Sequence, residues 1–114
     1  MQVTVHDTYT RAGSARLAGH GLILEVRGME YHLVAETVPS LLRGQAADLV
    51  NPDGEEEGRA WLSPISAPQK QDFLALIGHR LYVVGYRDFS RLLSGARPRA
   101  RVQEYHPPLP PGVF

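Results

Sequence analysis

The residues best placed for metal or acid–base chemistry are two glutamates and a histidine in one predicted β-hairpin. Residues 22–33 alternate apolar and polar side chains around Arg27-Gly28. A two-residue turn at that point places Glu25 opposite Glu30, with His32 two residues along on the same face. Two carboxylates and an imidazole suit a hard or borderline metal ion. The alternative is a solvated sheet face on which a nearby arginine relieves the like charges.

Alternating arginines in the C-terminal third are the second candidate for chemistry. Arg97, Arg99 and Arg101 occupy every other position. On an extended segment they project to one side about 6.5 Å apart, which roughly matches the spacing of successive phosphates on a single strand. Tyr105 offers a surface on which a base can stack. The alternative is an edge strand that its charges protect from aggregation.

The proline-rich tail, residues 107–114, is a candidate interface. Its Pro-Pro-Leu-Pro-Pro run is typical of polyproline II. Prolines stiffen the segment and so lower the entropy lost when it docks. Leu109, Val113 and Phe114 are apolar, and we expect them to contact a second subunit.

Other chemistries lack their signatures in this sequence. The chain has no cysteine, so a disulfide framework, a zinc ribbon and a thiol nucleophile are excluded. No serine lies in a Gly-x-Ser-x-Gly elbow. Gly19-His20-Gly21 has two glycines but no predicted helix after it, so it does not indicate a phosphate loop. We therefore expect a non-enzymatic protein without a cofactor.

Length and composition indicate one small domain. The 114 residues, 43% of them hydrophobic, predict a globular domain over residues 1–106 followed by the tail. No apolar run is long enough to cross a membrane, and residues 1–7 do not resemble a signal peptide. We therefore expect a cytoplasmic protein with no membrane partner. One lysine against eleven arginines, with abundant Ala, Gly and Pro, indicates a GC-rich bacterial coding bias.

Two segments 51 residues apart share one organisation. Residues 31–44 and 82–95 each begin with an apolar strand and continue into a short helical turn with a Leu-Leu pair. Gly44 and Gly95 end the two turns. An internal duplication would predict pseudo-twofold packing of the two units. The alternative is chance similarity, because such strands and helix ends are common.

Residues 66–78 predict the one long amphipathic helix. Ser66 is a suitable N-cap and Gln69 completes a capping box. Phe73, Leu74, Leu76 and Ile77 form an apolar stripe, and Gly78 is the expected stop. Residues 81–86 are almost continuously apolar, which predicts an interior strand covered on both faces.

These elements predict an α+β domain. We expect an antiparallel sheet or partly closed barrel of five to seven strands, with one amphipathic helix and two short helical turns. The predicted function is a self-associating, non-enzymatic interaction or assembly protein of the bacterial cytoplasm, with a further protein partner possible. The alternative is a single-stranded nucleic-acid-binding protein that uses the arginine-rich C-terminal strand.

Overall fold

The computed structural model describes residues 8–18, 21–34, 38–52, 57–63 and 71–106. These ranges form eight β-strands and two helices. The elements are β1 (Thr8–Ala18), β2 (Gly21–Val26), β3 (Met29–Val34), α1 (Val38–Leu42), β4 (Ala47–Val50), β5 (Glu57–Leu62), β6 (Phe73–Ile77), β7 (Arg80–Val84), α2 (Tyr86–Leu93) and β8 (Ala100–His106). Each strand pairs antiparallel with the next, and β8 pairs back with β1, so the sheet closes into a barrel.

The closed barrel shows that the predicted α+β fold is wrong. The amphipathic helix predicted over residues 66–78 is a strand, β6, from residue 73 onward. Its predicted start lies in residues 64–70, outside the described residues. Gly78, the expected helix stop, has a φ of 62° and begins the turn to β7. The two predicted short helices are confirmed as α1 and α2.

The error over β6 has a clear physical origin. Phe73, Ala75 and Ile77 are buried inside the barrel, while Leu74 and Leu76 point outward. Because the outward residues are also apolar, the strand lacks the alternation that distinguishes it from an apolar helix stripe. Hydrogen bonding to β5 on one side and β7 on the other fixes the strand.

Two other strand predictions fail because the sheet closes. The arginine-rich strand predicted at an edge is β8, which pairs with both β7 and β1. A closed barrel has no edge to protect. Strand β7 was predicted to be covered on both faces, but it lies in a single-layered wall. Its outward residues Leu81 and Val83 are only half-buried.

The β2–β3 hairpin has the predicted register. Leu24 pairs with Tyr31 and Val26 with Met29, across a two-residue turn. Arg27 and Gly28 have φ values of 55° and 75°, as a type I′ turn requires. Of the predicted core residues of this hairpin, Met29 is half-buried and the others are buried. The buried residues are Leu22, Leu24, Val26, Tyr31 and Leu33.

Both helices lie at the same end of the barrel. The chain reverses at every strand, so the β3–β4 and β7–β8 connections, which contain α1 and α2, emerge at one end. Leu41 of α1 and Leu92 of α2 are buried there. Phe89 of α2 stacks on Phe73 of β6 with ring centroids 5.1 Å apart. The helices therefore close this end, and the β2–β3 and β6–β7 turns surround the opposite end.

The barrel consists of two structurally equivalent halves, β1–β4 and β5–β8. The pair Val26–Met29 in the first half corresponds to Ile77–Arg80 in the second, 51 residues later. The β3–β4 pair His32–Val50 corresponds to Val83–Gln103 between β7 and β8. The sequence similarity between residues 31–44 and 82–95 therefore coincides with a strand register that occurs in both halves, and pseudo-twofold packing stays a prediction.

Gly13 and Gly58 occupy equivalent positions, opposite Val26 and Ile77. A Cβ atom on Gly13 would overlap the carbonyl oxygen of Glu25. One on Gly58 would lie 2.7 Å from Cγ1 of Ile77. Both positions therefore need glycine because neighbouring strands approach closely.

We expect Gly13→Ala and Gly58→Ala each to lower the free energy of unfolding by about 1–3 kcal/mol, because the methyl group forces the strands apart. Urea denaturation measures the change. Gly85→Ala is the control: its Cβ would meet no atom within 4 Å, and we expect a change below about 1 kcal/mol. Wild-type stability in the Gly13→Ala variant would contradict this packing.

Candidate functional site

The end of the barrel opposite the helices contains a cavity of about 540 Å³ between the β2–β3 and β6–β7 turns. Its walls are apolar side chains and two tyrosines, and cationic residues lie at its rim. The lining residues are Val26, Arg27, Met29, Tyr31, Ile77, Gly78, His79, Arg80 and Tyr82. We call this cavity the mouth.

The charges at the mouth are only partly paired. Arg80 donates to both carboxylate oxygens of Glu104, at 3.0 and 3.2 Å. His106 lies 3.8 Å from the same carboxylate, and its Nε2 hydrogen-bonds with the Thr10 hydroxyl at 2.8 Å. Arg27 has no acidic partner among the described residues. The mouth therefore carries one guanidinium whose charge the described residues do not neutralise.

Tyr31 and Tyr82 form equivalent parts of the mouth, and each is 2% exposed. Burial raises the pKa of Tyr82, and the nearby Glu104 carboxylate raises it further. The Arg27 and Arg80 guanidinium groups oppose that rise. Tyr82 is thus a neutral hydroxyl at physiological pH, suited to hydrogen bonding rather than to nucleophilic chemistry.

The predicted metal-binding trio lies on the outside of the barrel. Glu25 and Glu30 face each other across the β2–β3 hairpin, as predicted. Arg16 of β1 donates to both carboxylates at 3.1 Å, and Nε2 of His32 lies 3.3 Å from Glu30. Hydrogen bonds from Arg16 and His32 lower the pKa of Glu30. Within the described ranges, no group of three or more His, Cys, Asp or Glu side chains is placed to hold a metal ion.

The predicted nucleic-acid residues lie on and just before β8. Arg101 and Tyr105 belong to the strand, whereas Arg97 and Arg99 lie in the segment that leads into it. All three arginines are exposed and form no ion pair within the described part of the chain. The Tyr105 ring packs against Tyr9 of β1, with centroids 5.3 Å apart.

An apolar surface covers the outside of β5, β6 and β7. The sequence analysis did not predict this surface. Neighbouring strands bring its members together by the pairs Trp61–Leu74, Leu74–Val83 and Leu76–Leu81. Leu76 is 42% exposed, and the other four members, Trp61, Leu74, Leu81 and Val83, are half-buried. We call these five residues the apolar outer face.

The first half of the barrel has a different surface at the equivalent positions. Arg16, Glu25, Glu30 and His32 correspond to Trp61, Leu76, Leu81 and Val83. Only Ile23, the counterpart of Leu74, is apolar in both halves. The barrel therefore does not require apolar residues at these outward positions.

The predicted interface residues Leu109, Val113 and Phe114 lie outside the described residues, so their contact with a second subunit stays a prediction. Protein-family models, curated proteins and solved structures gave no match to this chain. In the described part of the chain, neither helix is long and apolar enough to cross a membrane.

We expect Tyr82 to make stability fall at alkaline pH. Its pKa in the folded protein is raised above the usual value of about 10. The unfolded chain therefore loses this proton first, so the free energy of unfolding decreases as pH rises above about 10. Tyr82→Phe should reduce that decrease in urea denaturation between pH 8 and 11. Equal slopes for wild type and Tyr82→Phe would contradict the burial effect.

Proposed function

We propose that this chain is a non-enzymatic interaction protein that self-associates through the apolar outer face. The observation that carries the proposal is the contrast between the two halves. Four outward positions that hold Arg16, Glu25, Glu30 and His32 in the first half are apolar in the second. Since the fold accepts charged residues there, burial against another surface is the physical reason to place apolar side chains at these positions.

A second copy of the chain is the partner that suits this surface. Leu76 projects beside a shallow depression of about 440 Å³ lined by Gly58, Gly78, Arg59 and Asp48. A projection next to a depression is self-complementary under a twofold axis, because each Leu76 can enter the depression of the other copy. The Arg59–Asp48 ion pair, at 3.6 Å, then forms part of a polar rim.

Leu76→Glu tests this interface. We expect wild-type protein to sediment as a dimer at micromolar concentration and Leu76→Glu to sediment as a monomer, because the substitution places a charge in the apolar contact. Leu76 is exposed in the monomer, so the variant should keep the stability of the fold. Leu17→Glu is the matched control, since Leu17 is 44% exposed but lies outside the apolar outer face.

Deletion of residues 107–114 separates this proposal from association through the tail. Dissociation by the deletion but not by Leu76→Glu would favour the tail residues Leu109, Val113 and Phe114. A monomeric wild-type protein at tens of micromolar would refute self-association through either surface.

Nucleic-acid binding is the second candidate function, and the pattern of ion pairs favours it. Arg16, Arg59 and Arg80 each form an ion pair with an acidic side chain. Within the described residues, Arg97, Arg99 and Arg101 form no ion pair with an acidic side chain. Arg11 of β1, which pairs with Gln103 of β8, forms none there either. The exposed Tyr9 ring beside Tyr105 adds a stacking surface to this cationic side of the barrel.

We expect the triple change of Arg97, Arg99 and Arg101 to Glu to abolish binding of a fluorescent oligo-dT in anisotropy titrations at low salt. Phosphate contacts would make the wild-type affinity fall steeply with salt concentration. Changing Arg43, Arg59 and Arg87 to Glu alters net charge equally and should weaken binding far less. Equal loss in both triple variants would indicate a net-charge effect, and absence of wild-type binding would remove this function.

A further inference from the structure

Arg27 has a backbone conformation that its side chain disfavours. It is the one non-glycine residue with positive φ in the described ranges, at 55°. A Cβ atom makes this region unfavourable for an L-residue, and asparagine or glycine is the usual choice in a type I′ turn. The equivalent β6–β7 turn begins with Gly78, at φ 62°. The turn itself therefore gives no reason for an arginine, and its side chain must be the reason.

The side chain of Arg27 lies at the mouth. Arg27 lines the cavity and is close enough to Tyr82 to influence its ionisation. The other rim guanidinium, on Arg80, is held by Glu104, whose two carboxylate oxygens both accept from Nη1 of Arg80. Arg27 hydrogen-bonds with the Tyr82 hydroxyl and has no acidic partner within the described residues, so its remaining N–H donors can meet an anion.

The interior of the mouth suits an apolar body. Val26 and Ile77 form equivalent walls from the two hairpins, and Met29 adds an adaptable surface at the opening. Tyr31 and Tyr82 contribute aromatic surface deeper in the barrel. A volume of about 540 Å³ lies in the range of small-molecule sites, which combine apolar walls with a few placed polar groups.

We propose that the mouth binds a small amphipathic carboxylate. The carboxylate accepts a bidentate pair of hydrogen bonds from the Arg27 guanidinium, and the aliphatic or aromatic body fills the space between the β2–β3 and β6–β7 hairpins. His79, on the opposite turn, lies at the same rim. This site is separate from the apolar outer face and does not depend on self-association.

Ligands that share an eight-carbon chain and differ in their head group test whether the mouth requires a negative charge. We would titrate the full-length protein with octanoate, octanol and octylamine and follow amide shifts by NMR. We expect octanoate to shift the amides of the two mouth turns and to bind at least tenfold more tightly than octanol or octylamine. Octanol binding as tightly as octanoate would overturn anion recognition, and no binding of octanoate at millimolar concentration would overturn the site.

Substitution of Arg27 tests the residue assignment without risk to the fold. Asparagine tolerates positive φ, so Arg27→Asn should be at least as stable as wild type while losing octanoate affinity at least tenfold. Arg27→Lys should retain part of the affinity, since it keeps the charge but not the bidentate geometry. Arg43→Asn, at an exposed arginine that follows α1 at the helix end of the barrel, should bind octanoate as wild type does. Unchanged octanoate affinity in a folded Arg27→Asn protein would refute the role of Arg27.

Met29→Trp tests the location independently of charge. Met29 is half-buried at the opening, and the larger indole should occupy part of the cavity and weaken octanoate binding at least tenfold. Binding that survives in this variant, once its fold is verified by circular dichroism, would place the octanoate elsewhere and overturn the proposal.

Discussion

The closure of β1 against β8 is the constraint on which the rest of this structure depends. An eight-stranded barrel encloses only enough space for its inward side chains, so a large inward residue needs small ones beside it. Each half fits within this interior volume because the paired residues of its neighbouring strands form a row of small or aliphatic side chains that ends in a tyrosine. The rows are Ala100–Ala15–Leu24–Tyr31 and Ala47–Ala60–Ala75–Tyr82.

The number of strands in the repeat explains why the two ends of the barrel differ. Each half contains four strands, an even number, so the chain begins the second half at the end where it began the first. Both helices must therefore emerge at one end, and the β2–β3 and β6–β7 turns at the other. Leu41, Phe89 and Leu92 fill the helix end. At the other end, the described residues leave a cavity between the β2–β3 and β6–β7 turns.

The inner and outer surfaces of the wall are under different physical constraints. Inside, the fixed volume keeps the halves similar, as the equivalent glycines and tyrosines show. Outside, positions that are charged in the first half are apolar in the second, so the wall itself does not fix residue type. The first half uses this freedom for the Arg16–Glu25–Glu30 ion pairs, and the second half has the apolar outer face. A difference between halves that share one fold therefore points to binding rather than to stability.

The sequence alone determined the local features of this protein. Alternation from residue 22 to residue 33 specified the β2–β3 register, because a slip of one residue would expose the apolar face. The Leu-Leu-x-Gly ends specified both short helices. Of the candidate sites, the sequence predicted the Glu25–Glu30 pairing, which depends only on that hairpin, and placed Arg101 and Tyr105 on a strand.

Tertiary structure decided everything that depends on distant pairing. Strand β6 has apolar residues on both faces, so its own pattern does not distinguish it from a helix, and the ladders to β5 and β7 make it a strand. The mouth joins turns that are about fifty residues apart, and the apolar outer face joins three strands. Neither has a local signature, because a barrel's closure sets which side chains become neighbours. The sequence predicted a two-residue turn at Arg27-Gly28 but left its type open, and the place of Arg27 beside Tyr82 required the closed barrel.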